Sequence, residues 1–215
     1  MKERTNQHIE TFFGWHEDLV PLREEIIAAA EMIIDAYRQG GKVLTCGNGG
    51  SSSDCEHIVG ELLKGFLLKR PMNGALAHRL ENQYGEEGKD IAVKLQQGLP
   101  AICLSSQASI ISAFANDVDP ELVYAQQVLG YGKPGDVLIG ISTSGNAKNV
   151  AAAVMMANAL GMHTIGLTGK HGGKLGKLAE LVLYMPKDET YRVQEDHLAI
   201  YHLVCIIVES ELFES

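Results

Sequence analysis

Between residues 5 and 39 apolar side chains recur at helical spacing. In "DLVPLREEIIAAAEMIIDAYRQGG", Leu22, Ile26, Ile27, Ala30, Ile33, Ile34 and Tyr37 fall on one face. Pro21 suits the first turn of a helix, and Gly40-Gly41 ends it. From residue 42 the period changes. Short apolar runs of strand length appear at "KVLTC" (42–46), "PAICLS" (100–105), "GDVLIGIS" (135–142), "HTIGLTG" (163–169) and "ELVLYMP" (180–186). Between and after them lie helical patterns, among them "SDCEHIVGELLKGF", "NAKNVAAAVMMANALG" and the closing "YRVQEDHLAIYHLVCIIVESEL". Strands alternating with helices predict right-handed βαβ units and a parallel sheet covered on both faces. The expected fold is therefore α/β, a three-layer α-β-α sandwich around a five-stranded parallel sheet over 42–215. It is preceded by an N-terminal helical extension over 1–41, whose wide apolar face suits packing on the domain and a subunit contact. The polar stretch 74–98, with Gly85 and Gly88, joins a helix to a strand and reads as an insertion able to form a helical lid or flap.

Composition narrows the ligand class. The 215 residues are 46% hydrophobic and 21% charged, ordinary for a globular chain with a sizeable core. A formal net charge of −9 argues against binding nucleic acid or an anionic membrane, because both require a positive field. A small anion remains open, since backbone N–H groups hold phosphate inside acidic proteins. Cys46, Cys55, Cys103 and Cys205 are scattered without a C-x-x-C pair and read as buried, reduced thiols. The polar start "MKERTNQHIE" lacks the apolar core of a signal peptide, and no apolar run approaches the ~20 residues of a membrane span. A cytoplasmic protein is expected.

In open α/β sheets ligands bind beyond the carboxyl ends of the strands. Two loops there are unusual. "CGNGGSSSD" carries Asn48, Gly49, Gly50 and Ser51, and "STSGNAKN" carries Ser142, Thr143, Ser144 and Asn146. Each combines glycine-permitted N–H groups, hydroxyls and a helix N-terminus, which suits a phosphate. Neither is a P-loop, for no Gly-Lys-Ser/Thr follows, and Ser52 stands where a dinucleotide fingerprint needs its third glycine. His57 and Glu61 are four apart on the helix leaving the first loop and share a face. Gln194 and His202, eight apart in the last helix, lie about 80° from each other, on one broad side. These four groups suit either a divalent metal or proton transfer, and an i,i+4 His/Glu pair is also common on a plain helix surface. His8, His16, His78, His163 and His171 are expected to have no ligand role, and His197 to lie at the helix surface or behind the site.

"GNGGSSSDCEHIVGEL", "ISTSGNAKNV", "GLTGKHGGKL" and "RVQEDHLAIYHLV", in this order and spacing, resemble the sugar isomerase (SIS) domain. More narrowly they resemble the phosphoheptose isomerases, which convert sedoheptulose 7-phosphate to D-glycero-D-manno-heptose 7-phosphate. The resemblance runs from about residue 5 to 213, interrupted by 74–98. It implies a homotetramer with N-terminal helices in the subunit core and active sites between subunits. It implies Glu61 as general base and His202 as general acid. His57, Glu61, Gln194 and His202 match positions that bind Zn²⁺ in some members, one ion per subunit. Asn48, Gly49, Gly50, Ser51, Ser142, Thr143, Ser144, Asn146 and Gln194 match substrate positions, and Asn116 and Asp117 an Asn-Asp pair that touches sugar hydroxyls. Ser52, Ser53 and Tyr191 stand where these isomerases often carry His, Cys and Asp. Non-catalytic relatives exist, a DnaA initiator-associating protein and sugar-phosphate sensors among them. The retained acid–base pair Glu61 and His202 favours the enzyme, since moving a carbonyl from C2 to C1 needs a base at carbon and a partner at oxygen.

Overall fold

A computed structural model describes residues 1–214. In it the N-terminal apolar pattern folds as two α-helices rather than one run. α1 (Glu3–Trp15) and α2 (Arg23–Arg38) are separated by a 3-10 turn, Glu17–Leu22, that contains Pro21. Proline brings no N–H to the ladder and crowds the preceding turn, so the helix cannot pass through it. α2 stops at Gly40, whose φ of +79° is open to glycine, while the Gly41 N–H returns to the Ala36 carbonyl at 2.8 Å. Of the predicted face, Ile26, Ala30, Ile33 and Ile34 are buried and Leu22, Ile27 and Tyr37 half-buried.

The five strands are β1 (Val43–Gly47), β2 (Ala101–Cys103), β3 (Val137–Ser142), β4 (His163–Gly169) and β5 (Leu181–Met185). They form one parallel sheet in the order β2-β1-β3-β4-β5. β2 is shorter than its apolar run, because the chain turns into a 3-10 segment at Leu104–Ser106. The helices between and after them are α3 (Gly50–Leu63), α4 (Gly74–Lys94), α5 (Ala108–Asp117), α6 (Val123–Tyr131), α7 (Lys148–Ala159), α8 (Leu175–Leu178) and α9 (Thr190–Phe213).

Side chains alternate across each strand and split the core in two. Val43, Val137, Ile139, Ile165 and Leu167 pack with residues of α1, α2, α3 and α9 on one face. Leu44, Cys46 and Leu138 pack with residues of α6, α7 and α8 on the other. On that second face Gly140 and Gly166 pair across β3 and β4. A Cβ would lie 3.1 Å from Val150 at Gly140 and 3.0 Å from Leu175 at Gly166, so α7 and α8 rest almost on the backbone. All four cysteines are buried and free. The stretch 74–98 is mainly α4, broken at Gly85 (φ +61°) and exposed along nearly its whole length. The chain leaves β1 for β2 on one side and returns on the other as β3. The strand order therefore reverses between β1 and β3, where open α/β sheets form their crevice.

Candidate active site

The two Gly/Ser loops leave neighbouring strands, for Gly47 and Ile141 are in register. Gly49, at φ +56°, turns the first loop into α3. Asn48 ties the loops together: its amide Nδ2 donates to Asn149 Oδ1 at 2.8 Å, and its Oδ1 accepts from Asn149 Nδ2 at 3.0 Å. The Tyr124 hydroxyl braces the same point, 2.8 Å from the Gly47 carbonyl and 3.1 Å from Asn48 Oδ1. In the second loop the Gly145 N–H donates to the Ser142 carbonyl at 2.9 Å, and the Asn146 N–H donates to Ser144 Oγ at 3.2 Å. Gly145 has φ +66°, and a Cβ there would fall 1.9 Å from the Gly172 carbonyl oxygen. The "GKHGGK" loop is thus pressed onto the "STSGN" turn, with the Gly169 N–H on the Thr143 carbonyl at 2.9 Å. Ser51 and Ser142 are buried, whereas Asn48, Gly49, Gly50, Ser144 and Asn146 face solvent.

α3 and α9 run side by side in the same direction, and their contacts step down both helices together. At the top Gln194 lies over Gly50, where a Cβ would come within 2.3 Å of its Nε2. Two turns on, Tyr201 and His202 meet His57. Tyr201 Oη is 2.9 Å from His57 Nδ1, and His202 Nε2 is 3.4 Å from His57 Nε2. Glu61 Oε1 is 3.3 Å from the same His57 Nε2, and its Oε2 accepts from Lys64 Nζ at 2.7 Å. Glu61 and His202, 141 residues apart in sequence (202 − 61), are thus joined through one imidazole. Glu61 is nearly buried, while the His57 side chain is 42% exposed and so open to a ligand. Burial, together with the neighbouring His57, holds the His202 imidazole below its ordinary range, against the pull of Glu61.

The donors His57 Nε2, His202 Nε2 and Glu61 Oε1 suit a zinc ion in kind. Bonds of about 2.0–2.1 Å set tetrahedral edges of about 3.3 Å, and two such edges are present at 3.3 and 3.4 Å. The third edge is open: Glu61 and His202 do not touch, and among the described residues no three His, Cys, Asp or Glu side chains close around one point. Gln194 lies at Gly50 and, among the described residues, makes no hydrogen bond to the three. Asn116 donates to Asp117 Oδ1 at 2.8 Å at the exposed end of α5, and among the described residues neither is hydrogen-bonded to another site residue.

A buried ion pair fastens the lower end of this frame. Glu209, two turns beyond His202, accepts the N–H groups of Phe66, Leu67 and Leu68 at 2.7, 2.7 and 3.0 Å and Arg70 Nε at 2.7 Å. Arg70 Nη1 donates to the Leu62 carbonyl at 2.8 Å, capping α3 just after Glu61. The same segment carries Phe66, whose ring centroid is 5.5 Å from that of His202. Sequence reading missed Arg70, Glu209, Tyr201, Asp54 and Tyr124, whose partners lie far away in the chain. Asn149 was within reach of it, inside the quoted "ISTSGNAKNV". Of the two places expected for His197, the helix surface is excluded, for it is fully buried. It shares the inward stripe of α9 with Val193 and Ile200, at i−4 and i+3.

A family model described as the SIS domain matches residues 17–91 and 91–169. A phosphoheptose isomerase of Roseiflexus sp. (strain RS-1) is 41% identical over 189 residues, covering 88% of this chain and 83% of the relative. The chain belongs to the phosphoheptose isomerase family of SIS-domain proteins. The phosphoheptose isomerase of Geobacter sp. (strain M21) is 36% identical over 213 residues, 99% of this chain and 96% of its own. Among solved structures, phosphoheptose isomerase GmhA of Neisseria gonorrhoeae superposes with a TM-score of 0.73 at 32% identity, over 97% of this chain and 98% of that one. A phosphoheptose isomerase of Francisella tularensis gives 0.75 at 30% identity, over 98% and 100%. These relatives share the α/β architecture predicted from the alternating pattern.

Proposed function

We propose that this protein interconverts sedoheptulose 7-phosphate and D-glycero-D-manno-heptose 7-phosphate through an enediol. Family membership supports the reaction class, and one observation carries the reading. Glu61 and His202 flank His57, on the helices whose upper ends carry Gly50 and Gln194. From Gly50 to His57 is about 10 Å along α3 at 1.5 Å per residue. An open-chain seven-carbon sugar phosphate reaches that far, with its phosphate on Asn48, Gly49, Gly50, Ser51, Ser142, Thr143, Ser144 and Asn146 and its carbonyl end at His57. Glu61 takes a proton from C1 of the ketose while His202 gives one to O2, forming the enediol. Glu61 then returns its proton to C2 and His202 takes the proton of O1, leaving the aldose. Burial beside His57 keeps His202 neutral near pH 7, so it holds one proton to give and one lone pair to take it back.

The resemblance gives Zn²⁺ to His57, Glu61, Gln194 and His202. His57, Glu61 and His202 lie together here and would hold the ion, which supplies a Lewis acid for the carbonyl oxygen, whereas Gln194 would have to turn down from Gly50 to join them. Asn116 and Asp117 are assigned to substrate hydroxyls. A homotetramer with sites between subunits accords with the open face of His57 and with Trp15, 77% exposed at the end of α1. A cytoplasmic location accords with the four free cysteines, and among the described residues no helix is long and apolar enough to cross a membrane.

The test is incubation with sedoheptulose 7-phosphate, with and without Zn²⁺, and separation of the products. Glu61→Gln, which keeps the size and removes the base, is expected to lower turnover by at least ~10²-fold while substrate still binds. Wild-type turnover in that variant would remove Glu61 from the mechanism.

A further inference from the structure

We infer that Asp54 and Tyr201 act as positioning residues that set the tautomer of His57, so that its Nε2 presents a lone pair to the site instead of a proton. The inference builds on the reading of His57, Glu61 and His202 as the reacting centre. The Tyr201 hydroxyl is buried between two groups, 2.9 Å from His57 Nδ1 and 3.4 Å from Asp54 Oδ1. It has one proton for two neighbours. Among the described residues Tyr201 is the one hydrogen-bond donor that reaches the Asp54 carboxyl, whose Oδ2 is buried without a partner. Burial raises the Asp54 carboxyl above its ordinary range, against the Tyr201 hydroxyl and His57. Once ionised it has no proton to give and is the stronger acceptor, and the geometry has the phenol donating to it. The phenol proton therefore goes to Asp54, the phenol oxygen accepts, and the proton between Tyr201 and His57 belongs to His57 Nδ1.

The consequence appears on the other side of the ring. In the tautomer that carries its proton on Nδ1, the ring has a bare Nε2, and that atom faces Glu61 Oε1 at 3.3 Å and His202 Nε2 at 3.4 Å. A lone pair against a carboxylate oxygen is repulsive until a cation, or a proton from His202, lies among them. In the other tautomer Nε2–H would donate to Glu61 and occupy the base. The Asp54–Tyr201 pair thus keeps Glu61 free of His57 and makes His57 an electron-pair donor. Partners that fix the far nitrogen of a metal-binding histidine typically change metal affinity 10–100-fold.

Tyr201→Phe removes one oxygen and little volume. Nitrogen-15 spectra of the metal-free protein are expected to show His57 as the Nδ1–H tautomer in wild type, shifting toward Nε2–H in the variant. Zn²⁺ affinity, read by competition with a chromophoric chelator, is expected to weaken about 10–100-fold. Asp54→Asn, which removes the charge that draws the phenol proton, is expected to move the tautomer the same way and guards against a Tyr201 variant that does not fold. An Nε2–H tautomer in wild type would overturn the inference, as would Tyr201→Phe with an unchanged tautomer. A protein that does not isomerise yet shows Nδ1–H at His57 would sink the proposed reaction and leave this inference standing.

Discussion

Removing the charge of Glu209 tests whether the frame under the site is held as described. Glu209 and Arg70 are each 1% exposed and bonded at 2.7 Å, and the remaining carboxylate capacity is filled by three backbone N–H groups. Glu209→Gln keeps the volume, turns an NH₂ toward these donors and leaves the guanidinium without a counter-charge. Breaking a buried pair from one side costs about 3–5 kcal/mol, a large share of a typical total of about 5–15 kcal/mol. At about 2–4 °C per kcal/mol for a chain of this size, the midpoint should fall by about 6–20 °C. Urea unfolding followed by circular dichroism, repeated at two protein concentrations to separate dissociation from unfolding, gives the free energy directly. Arg70→Met combined with Glu209→Leu should cost less than the two single variants summed, because it leaves no unpaired charge, although the N–H groups of Phe66, Leu67 and Leu68 lose their acceptor. A loss below about 1 kcal/mol for Glu209→Gln, or single-variant costs that simply add in the double variant, would refute the latch.

Two further outcomes follow from buried groups. Burial lowers the His197 imidazole to about 4, so between its ordinary value of about 6.5 and that point the unfolded chain binds a proton that the native state does not. Stability should be whole above about pH 6.5 and fall by about 3 kcal/mol as pH drops toward 4; unfolding free energies across that range should lose this slope in His197→Leu, and an unchanged slope would assign it elsewhere. Gly145→Ala puts a Cβ 1.9 Å from the Gly172 carbonyl oxygen at φ +66°. The expected cost is about 2–5 kcal/mol together with weaker binding of sedoheptulose 7-phosphate, and wild-type stability in that variant would contradict the packed turn.

The sequence by itself determined the repeating units. Short apolar runs separated by helical periods dictate parallel strands with covered faces, and glycines and serines at two strand ends mark where backbone N–H groups stay free. The i,i+4 spacing of His57 and Glu61 is likewise local, because one helix places both on one face. Pro21 was visible too, although its effect was larger than the start of a helix, since it lacks the N–H for the preceding turn and its ring crowds that turn. What only the tertiary structure decided is the company these residues keep. No periodicity relates Arg70 to Glu209, Tyr201 to Asp54, or Asn48 to Asn149, because each pair is brought together by the packing of separate elements around a shared sheet. The same packing turned His197 inward. Local order follows from neighbours along the chain, whereas a reacting centre depends on the relative placement of helices, which the summed burial of both core faces sets.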